Sequence, residues 1–333
     1  MQKEEQNMKL KKWISLFLIA IFLCTYSGAI VQVSAAEQDN QEEEYTINAP
    51  YEYPIKPGTE EWKLITSRIE RAEKCQIPED ILSRMTTEAL AKTVLEYPFM
   101  VDMYAWNTTS IGYQVIKSEF NGLQELEMRP DGLETLQSMS QMRSTDGDGS
   151  SLRSRYLDII ISEMTQKDTV LYRDESQLQT RGNLPTTPLG NTITEGVYEN
   201  LTWADHNLTF QEAKTAQNEF LETYPSTSIY QNVNPSYNCH SFAWHSQSVD
   251  NTWWIDDPSL YMTDGSYYRI YSWKTGAKIF YGHSSYWYYD HSAIALSSND
   301  MVRSKWGSNA CFEHNIEDCP YVVGDCVIKY YTR

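Results

Sequence analysis

The residues with the clearest chemical potential in this chain are Cys239, His291 and His314. Cys239 lies in the run NCHSFAW (238–244), where a loop carrying Asn and Pro ends and an apolar-periodic segment begins. Phe242, Ala243 and Trp244 can face a core, which leaves Cys239 in the first helical turn. Free N–H groups and the helix dipole at that end stabilise a thiolate, so a cysteine there is a poised nucleophile. His291 follows in DHSAIAL (290–296), which reads as a strand. Acyl transfer by cysteine needs a thiolate, a base that takes and returns a proton, and donors for the developing oxyanion. Cys239 offers the first and His291 the second, and the Cys239 N–H can contribute to the third.

The period of a strand sorts the neighbours of His291. Ala293 and Ala295 share its face, while Asp290, Ser292, Ile294 and Leu296 share the other. The small alanines leave room for His291 to approach a helix terminus, and Asp290 is directed away from it. The next strand, MVRSKWG (301–307), offers only Ser304 and Lys305, the first a weak and the second a cationic orienter of an imidazolium. His314 lies beyond Gly307, and a backbone carbonyl or a water is the alternative orienter of His291. His240 and His245 are expected to point away from the thiol, the first adjacent in sequence and the second about a turn and a half along the helix.

Plainer readings stand beside these. A free cysteine often behaves as a small buried hydrophobe, and a strand histidine is often a satisfied core residue. Cys311, His314, Cys319 and Cys326 have a spacing that resembles zinc ligands, but in an exported chain such cysteines more commonly form disulfides. Asp146 and Asp148 invite a calcium loop, yet its sixth and twelfth positions would be Ser151 and Leu157 rather than Gly and Glu. No metal or cofactor is expected. The aromatic run between Trp253 and Tyr289 suits packed strands, with a glycan or peptide groove as the alternative.

The elements that must position these residues sit in a chain of 333 residues, enough for two ordinary domains. Lys9, Lys11 and Lys12, the apolar run Trp13–Cys24 and small residues at Ser34, Ala35 and Ala36 read as a signal peptide over 1–36. The apolar run is too short for a confident membrane span, so no stable span is expected after cleavage. The mature protein is expected to be secreted or held at the cell surface. Removing the leader's four lysines and two glutamates takes the formal charge from −18 to −20. That acidity argues against nucleic acid as a partner and mildly against anionic wall polymers. Five cysteines would remain, an odd number that leaves at least one thiol free within a single chain, and Cys239 is the natural one.

Residues 37–59 read as an extended lead, 60–175 as a helical domain, 176–190 as a linker and 191–333 as an α+β domain. Helical patterns start near Glu60 (Trp62, Ile65, Ile69, Ala72), at Ile77, at Thr86, over Met103–Gly122, over Asp131–Met142 and from Leu152. Phe210–Tyr224 forms a further helix closed by Pro225, and Leu296–Met301 has hairpin character.

NCHSFAW followed by DHSAI resembles the papain-like superfamily of secreted bacterial cysteine amidases and peptidases, of the CHAP and NlpC types, over residues 225–331. That resemblance implies an α+β papain-like domain, a Cys239 nucleophile on a helix packed against an antiparallel sheet, and His291 as general base on a core strand. It also implies a peptide or amide substrate, with cell-wall peptide a first candidate. The family's polar third residue, usually on the adjacent strand, is missing here, and His314 stands in for it. The helical segment is similar to one found ahead of varied domains in secreted bacterial proteins. Two further readings carry different predictions. One is a catalytically degenerate module whose aromatic groove holds a wall fragment, glycan or host ligand. The other is a structural or toxin-like protein whose helical half is a partner surface.

Overall fold

The computed structural model describes residues 45–146, 152–166, 184–284, 290–297 and 300–333. The expected signal peptide, the start of the lead, the loop after Asp146 and most of the expected linker lie outside them. Residues 45–333 fall into one compact unit.

The N-terminal part is helical. Helices α1 (Glu60–Leu64) and α2 (Arg68–Lys74) replace the single run expected from Trp62 to Ala72. Ile65 turns extended, and Ser67 starts the second helix by accepting from the Glu70 N–H. There follow α3 (Glu79–Leu82), α4 (Thr87–Leu95), a 3-10 turn at Met100–Tyr104, α5 (Thr109–Glu119), α6 (Asn121–Met128), α7 (Gly132–Asp146) and α8 (Leu152–Thr165). Thr86 and Thr108 cap α4 and α5 in the same way as Ser67. Strand β1 (Val197–Glu199) then precedes α9 (Phe210–Thr223), where Thr209 and Glu212 form a capping box.

Strands β2 (Ser228–Gln231), β3 (Trp253–Ile255), β4 (Tyr268–Ile270), β5 (Lys278–Gly282), β6 (His291–Ala295), β7 (Met301–Lys305), β8 (Cys311–Asn315) and β9 (Val327–Thr332) complete the fold, with α10 (Ser259–Thr263) between β3 and β4. Seven strands form one sheet in the order β2-β8-β7-β6-β5-β9-β4, and β1 pairs with β3 separately. Every paired ladder is antiparallel. The protein is thus of the α+β class, as expected, and β6 and β7 form the expected hairpin.

Alternation gives the large sheet two faces. Ile279, Tyr281, Ala293, Ala295, Val302, Phe312 and the neighbouring Trp306 join the core made by the helical segment and α9. Phe280, Ile294 and Cys311 join Tyr237, Phe242, Ala243, Trp244 and Tyr261 in a second core. Polar contacts reinforce the first junction. Arg68 pairs with Asp102 at 3.0 Å and Glu119 at 2.8 Å, and Tyr224 of the α9 end donates to Asp102. Arg71 pairs with Asp318 and donates to the Thr223 carbonyl at 2.7 Å. The helical segment and the sheet therefore share one interior, rather than meeting only through a linker.

Candidate active site

Asn238 fixes the approach to Cys239. Its side-chain oxygen accepts from the Ser241 N–H (3.1 Å) and the Ile255 N–H (3.3 Å), and its amide donates to the Ile255 carbonyl (2.7 Å). That caps the turn and ties it to β3. Cys239 and His240 are helical, and Ser241–His245 widens to a π-turn closed by a 3.0 Å bond from the Ser246 N–H to the Ser241 carbonyl. One short turn has little dipole. The field at the sulfur comes instead from individual donors: the N–H groups of Ser292, of His240 and of Cys239 itself.

The turn packs on the face of β6 opposite to the one expected. His240 Nδ1 and Trp244 Nε1 both meet Ser292 Oγ at 2.8 Å, so the turn rests on Ser292 and Ile294. Ala293 and Ala295 make room for the first core instead, because the larger helical layer needs the flatter surface. Cys239 nevertheless reaches β6. Paired positions of β6 and β7 end at Ile294 and Arg303, and beyond them the strands fork. The Ser292 N–H, which in a continued ladder would bond β7, instead lies close enough to the Cys239 sulfur to favour its thiolate.

His291 begins β6 beside that fork and is fully buried. Its ring stacks on Tyr321 with centroids 3.4 Å apart and planes 6° apart, and Tyr281 flanks it at 5.3 Å. Among the described residues neither ring nitrogen has a hydrogen-bond partner. Tyr321 also lies within electrostatic reach of Cys239. Tyr321 is thus a shared neighbour of Cys239 and His291, and among the described residues the two make no hydrogen bond with each other. Burial, with His240, His314 and His283 nearby, holds the His291 pKa well below the usual imidazole range. Asp290 does not orient His291, since its carboxylate accepts from the His283 N–H at 2.8 Å.

His314 is not brought to the pair. It lies opposite Val302 on β8, away from the fork. Its Nδ1 meets the Asn315 carbonyl at 2.7 Å and its Nε2 meets Ser304 Oγ at 2.8 Å, while Trp306 Nε1 donates to the same hydroxyl at 3.0 Å. These contacts define a neutral Nδ1–H tautomer with both nitrogens used. A strand position facing a core of aromatics explains the satisfied role. Cys311 and His314 sit on opposite faces of the sheet, so the zinc-like spacing does not converge. Among the described residues no group of three or more metal-ligating side chains occurs.

The helical segment covers the site. Trp106 packs edge-on against Tyr321 at 4.8 Å, and Tyr321 donates its hydroxyl hydrogen to the Ala105 carbonyl. Asn238 donates to Asn107 at 3.4 Å, and Asn107 donates to Asp256 at 3.0 Å. Gly307 follows β7 at φ 50°, with no room for a Cβ against the Ala105 and Trp106 carbonyls. Cys239 is left 3 % exposed. Burial pushes its pKa up to about 12, outweighing the pull of the three N–H groups and of Lys305. The expected poised thiolate is therefore a protonated thiol in this closed form.

Several residues of the site escaped sequence reasoning. Nothing in the sequence marks the Ser292 face of β6 as the one that meets the Cys239 turn, and Tyr321 and Trp106 carry no local motif. Lys305 was discounted as an orienter of His291, yet its side chain is fully buried next to Cys239. A lysine at the end of a strand, followed directly by Trp306 and Gly307, is the available signal.

Within the described residues the class is an α+β protein with a seven-stranded antiparallel sheet, in which Cys239 and His291 are both buried. No family model matches the chain, and neither a curated protein nor a solved structure matches it.

Proposed function

We propose that this chain is a secreted cysteine-dependent amide hydrolase of papain-like type, closed in the conformation described. The observation that carries this reading is that Tyr321 neighbours both Cys239, which opens a helical turn, and His291, whose two ring nitrogens have no hydrogen-bond partner among the described residues. A buried imidazole with no partner is poorly solvated, and it forms a strong bond with any proton donor admitted to it. On opening, the Cys239 thiol passes its proton to His291 and the sulfur attacks an amide carbonyl. The Cys239 and Ser292 N–H groups then lie near the developing oxyanion. His291 returns the proton to the leaving amine, and water cleaves the thioester. The substrate is a peptide or other amide, with cell-wall peptide the first to try.

The test compares wild type with Cys239→Ala on fluorogenic peptide amides and on wall-derived peptides, reading newly released amine. Turnover lost in the variant supports the nucleophile, and turnover retained by it removes Cys239 from the reaction. The second reading is a non-catalytic binding module, favoured by the burial of Cys239 and by the lack of an orienting partner for His291. It predicts equal ligand affinity for wild type and Cys239→Ser, and no turnover by either.

A further inference from the structure

Lys305 ends β7 at the fork where Cys239 inserts. Its side chain is fully buried, and its Nζ donates to the Asn234 carbonyl and the Gly307 carbonyl, each at 2.8 Å. The ammonium also lies over the Tyr237 ring at 5.0 Å. Alternation puts Lys305 on the same sheet face as Ser292, against the turn that carries Cys239. An ammonium has three hydrogens, and two are taken by these carbonyls. The charged groups and thiols around it are Cys239 from the turn and Cys311 across the ladder to β8. Tyr321, His240 and His291 complete the surroundings of Cys239.

This arrangement is not a surface ion pair. A buried ammonium is strongly unfavourable unless hydrogen-bonded or opposed by negative charge. The two carbonyls satisfy part of that demand. Burial still draws the lysine pKa down to about 7, against the upward pull of Cys311 and Cys239. The same two bonds join the loop leading to Cys239, through Asn234, to the Gly307 turn that seats against the helical cover. One side chain thus ties the Asn234 loop to the Gly307 turn.

We propose that Lys305 is a positioning residue for Cys239, pinning the Asn234 loop to the Gly307 turn and supplying the counter-charge for the Cys239 thiolate. The proposal rests on the reading of Cys239 as nucleophile. In that reading the Cys239 thiol loses its proton to His291, and Lys305 transfers no proton but acts through its charged form, which predominates below pH 7.

The test reads the thiolate rather than turnover, so it is separate from the fate of the hydrolase reading. Intact wild type, Lys305→Met, Lys305→Gln and Lys305→Arg are treated with iodoacetamide between pH 5.5 and pH 7, where the wild-type ammonium is charged, and the carboxamidomethylation of each cysteine is followed by mass spectrometry. Lys305→Gln keeps a donor for one carbonyl and removes the charge, so it carries the test if Lys305→Met does not fold. The expected result is about tenfold slower modification of Cys239 at a given pH in the neutral variants, which corresponds to about one pK unit. Partial recovery is expected in Lys305→Arg, with the rates at Cys75 and Cys326 unchanged. A Cys239 rate equal to or faster than wild type in a folded neutral variant overturns the proposal. Should Cys239→Ala retain turnover while the Lys305 effect on the thiol holds, the hydrolase reading alone falls.

Discussion

His314 offers the sharpest quantitative test of the described interior. It is fully buried and neutral, with Nδ1 on the Asn315 carbonyl and Nε2 on Ser304, and burial draws its pKa down to about 4. An unfolded histidine titrates near 6.5. Between those two values the unfolded chain binds a proton that the folded chain refuses, so stability falls as pH drops through that window. From pH 7 to pH 5 this one residue removes about 2 kcal/mol, and by pH 4 about 3 kcal/mol. His240, drawn down to about 4 by burial, acts in the same direction. Asp102 opposes them: burial raises its carboxyl to about 6, so its protonation on acidification favours the folded state. The raised carboxyls of Asp318, Glu163 and Glu219 act likewise. The total slope therefore mixes signs, and a difference measurement isolates His314. In His314→Gln the unfolded state has no proton to gain at this position. The variant is expected to be less stable than wild type at pH 7, with the gap narrowing by about 2 kcal/mol at pH 5. Urea unfolding of both proteins at fixed ionic strength measures it, with unchanged m-values as the check on the unfolded state. A gap independent of pH between 7 and 5 would refute the assignment of His314 as a buried neutral imidazole.

Three further outcomes are expected. Gly307→Ala places a Cβ against the Ala105 and Trp106 carbonyls at positive φ and should lower stability by about 2 kcal/mol or more, read by urea unfolding. Arg71→Met leaves the Asp318 carboxylate buried without its partner and should lower stability by about 3–5 kcal/mol; adding Asp318→Leu should recover much of that loss. In the native protein at pH 7, iodoacetamide should modify Cys239 about a thousandfold more slowly than an unhindered thiol, because a pKa near 12 leaves little thiolate. Rapid modification of Cys239 would show that the closed form is not the one populated in solution.

Local signals in the sequence were read accurately where the physics is local. The stop before Pro225 and the helix from Leu152 follow from local backbone and side-chain preferences. The two-residue period of β6 also held, with His291, Ala293 and Ala295 on one face. Which face meets which layer was not legible, since it depends on pairings far apart in the chain. The sheet turns Ser292 toward His240 and Trp244 and gives the alanines to the helical side. His314 had the spacing of a third member, but register set it opposite Val302 and gave both its nitrogens to structural partners. Composition marked a change near 176–190, whereas Arg68, Arg71 and Trp62 reach across it to Asp318, Tyr224 and Thr223.

Those long-range contacts bear directly on the chemistry. The cover over Cys239 comes from Ala105, Trp106 and Asn107, just past the turn that holds Asp102. Asp102 is in turn held by Arg68 and Tyr224, so the cover is anchored by a buried ion network rather than by surface contacts. Breaking a buried pair at one partner leaves a desolvated charge, which makes partial withdrawal of this segment costly. Access to the thiol therefore calls for a movement smaller than withdrawal of the segment. The fork between β6 and β7 supplies one, since no ladder pairs Ser292 with Lys305 and the sulfur itself fills the gap. A side-chain shift of Trp106 and Tyr321 would uncover His291 while leaving Arg68 and Asp102 paired. Trp106→Ala is then expected to raise the Cys239 alkylation rate at least tenfold without changing the Asp102 network. Equal rates in the two proteins would place the barrier to access elsewhere in the fold.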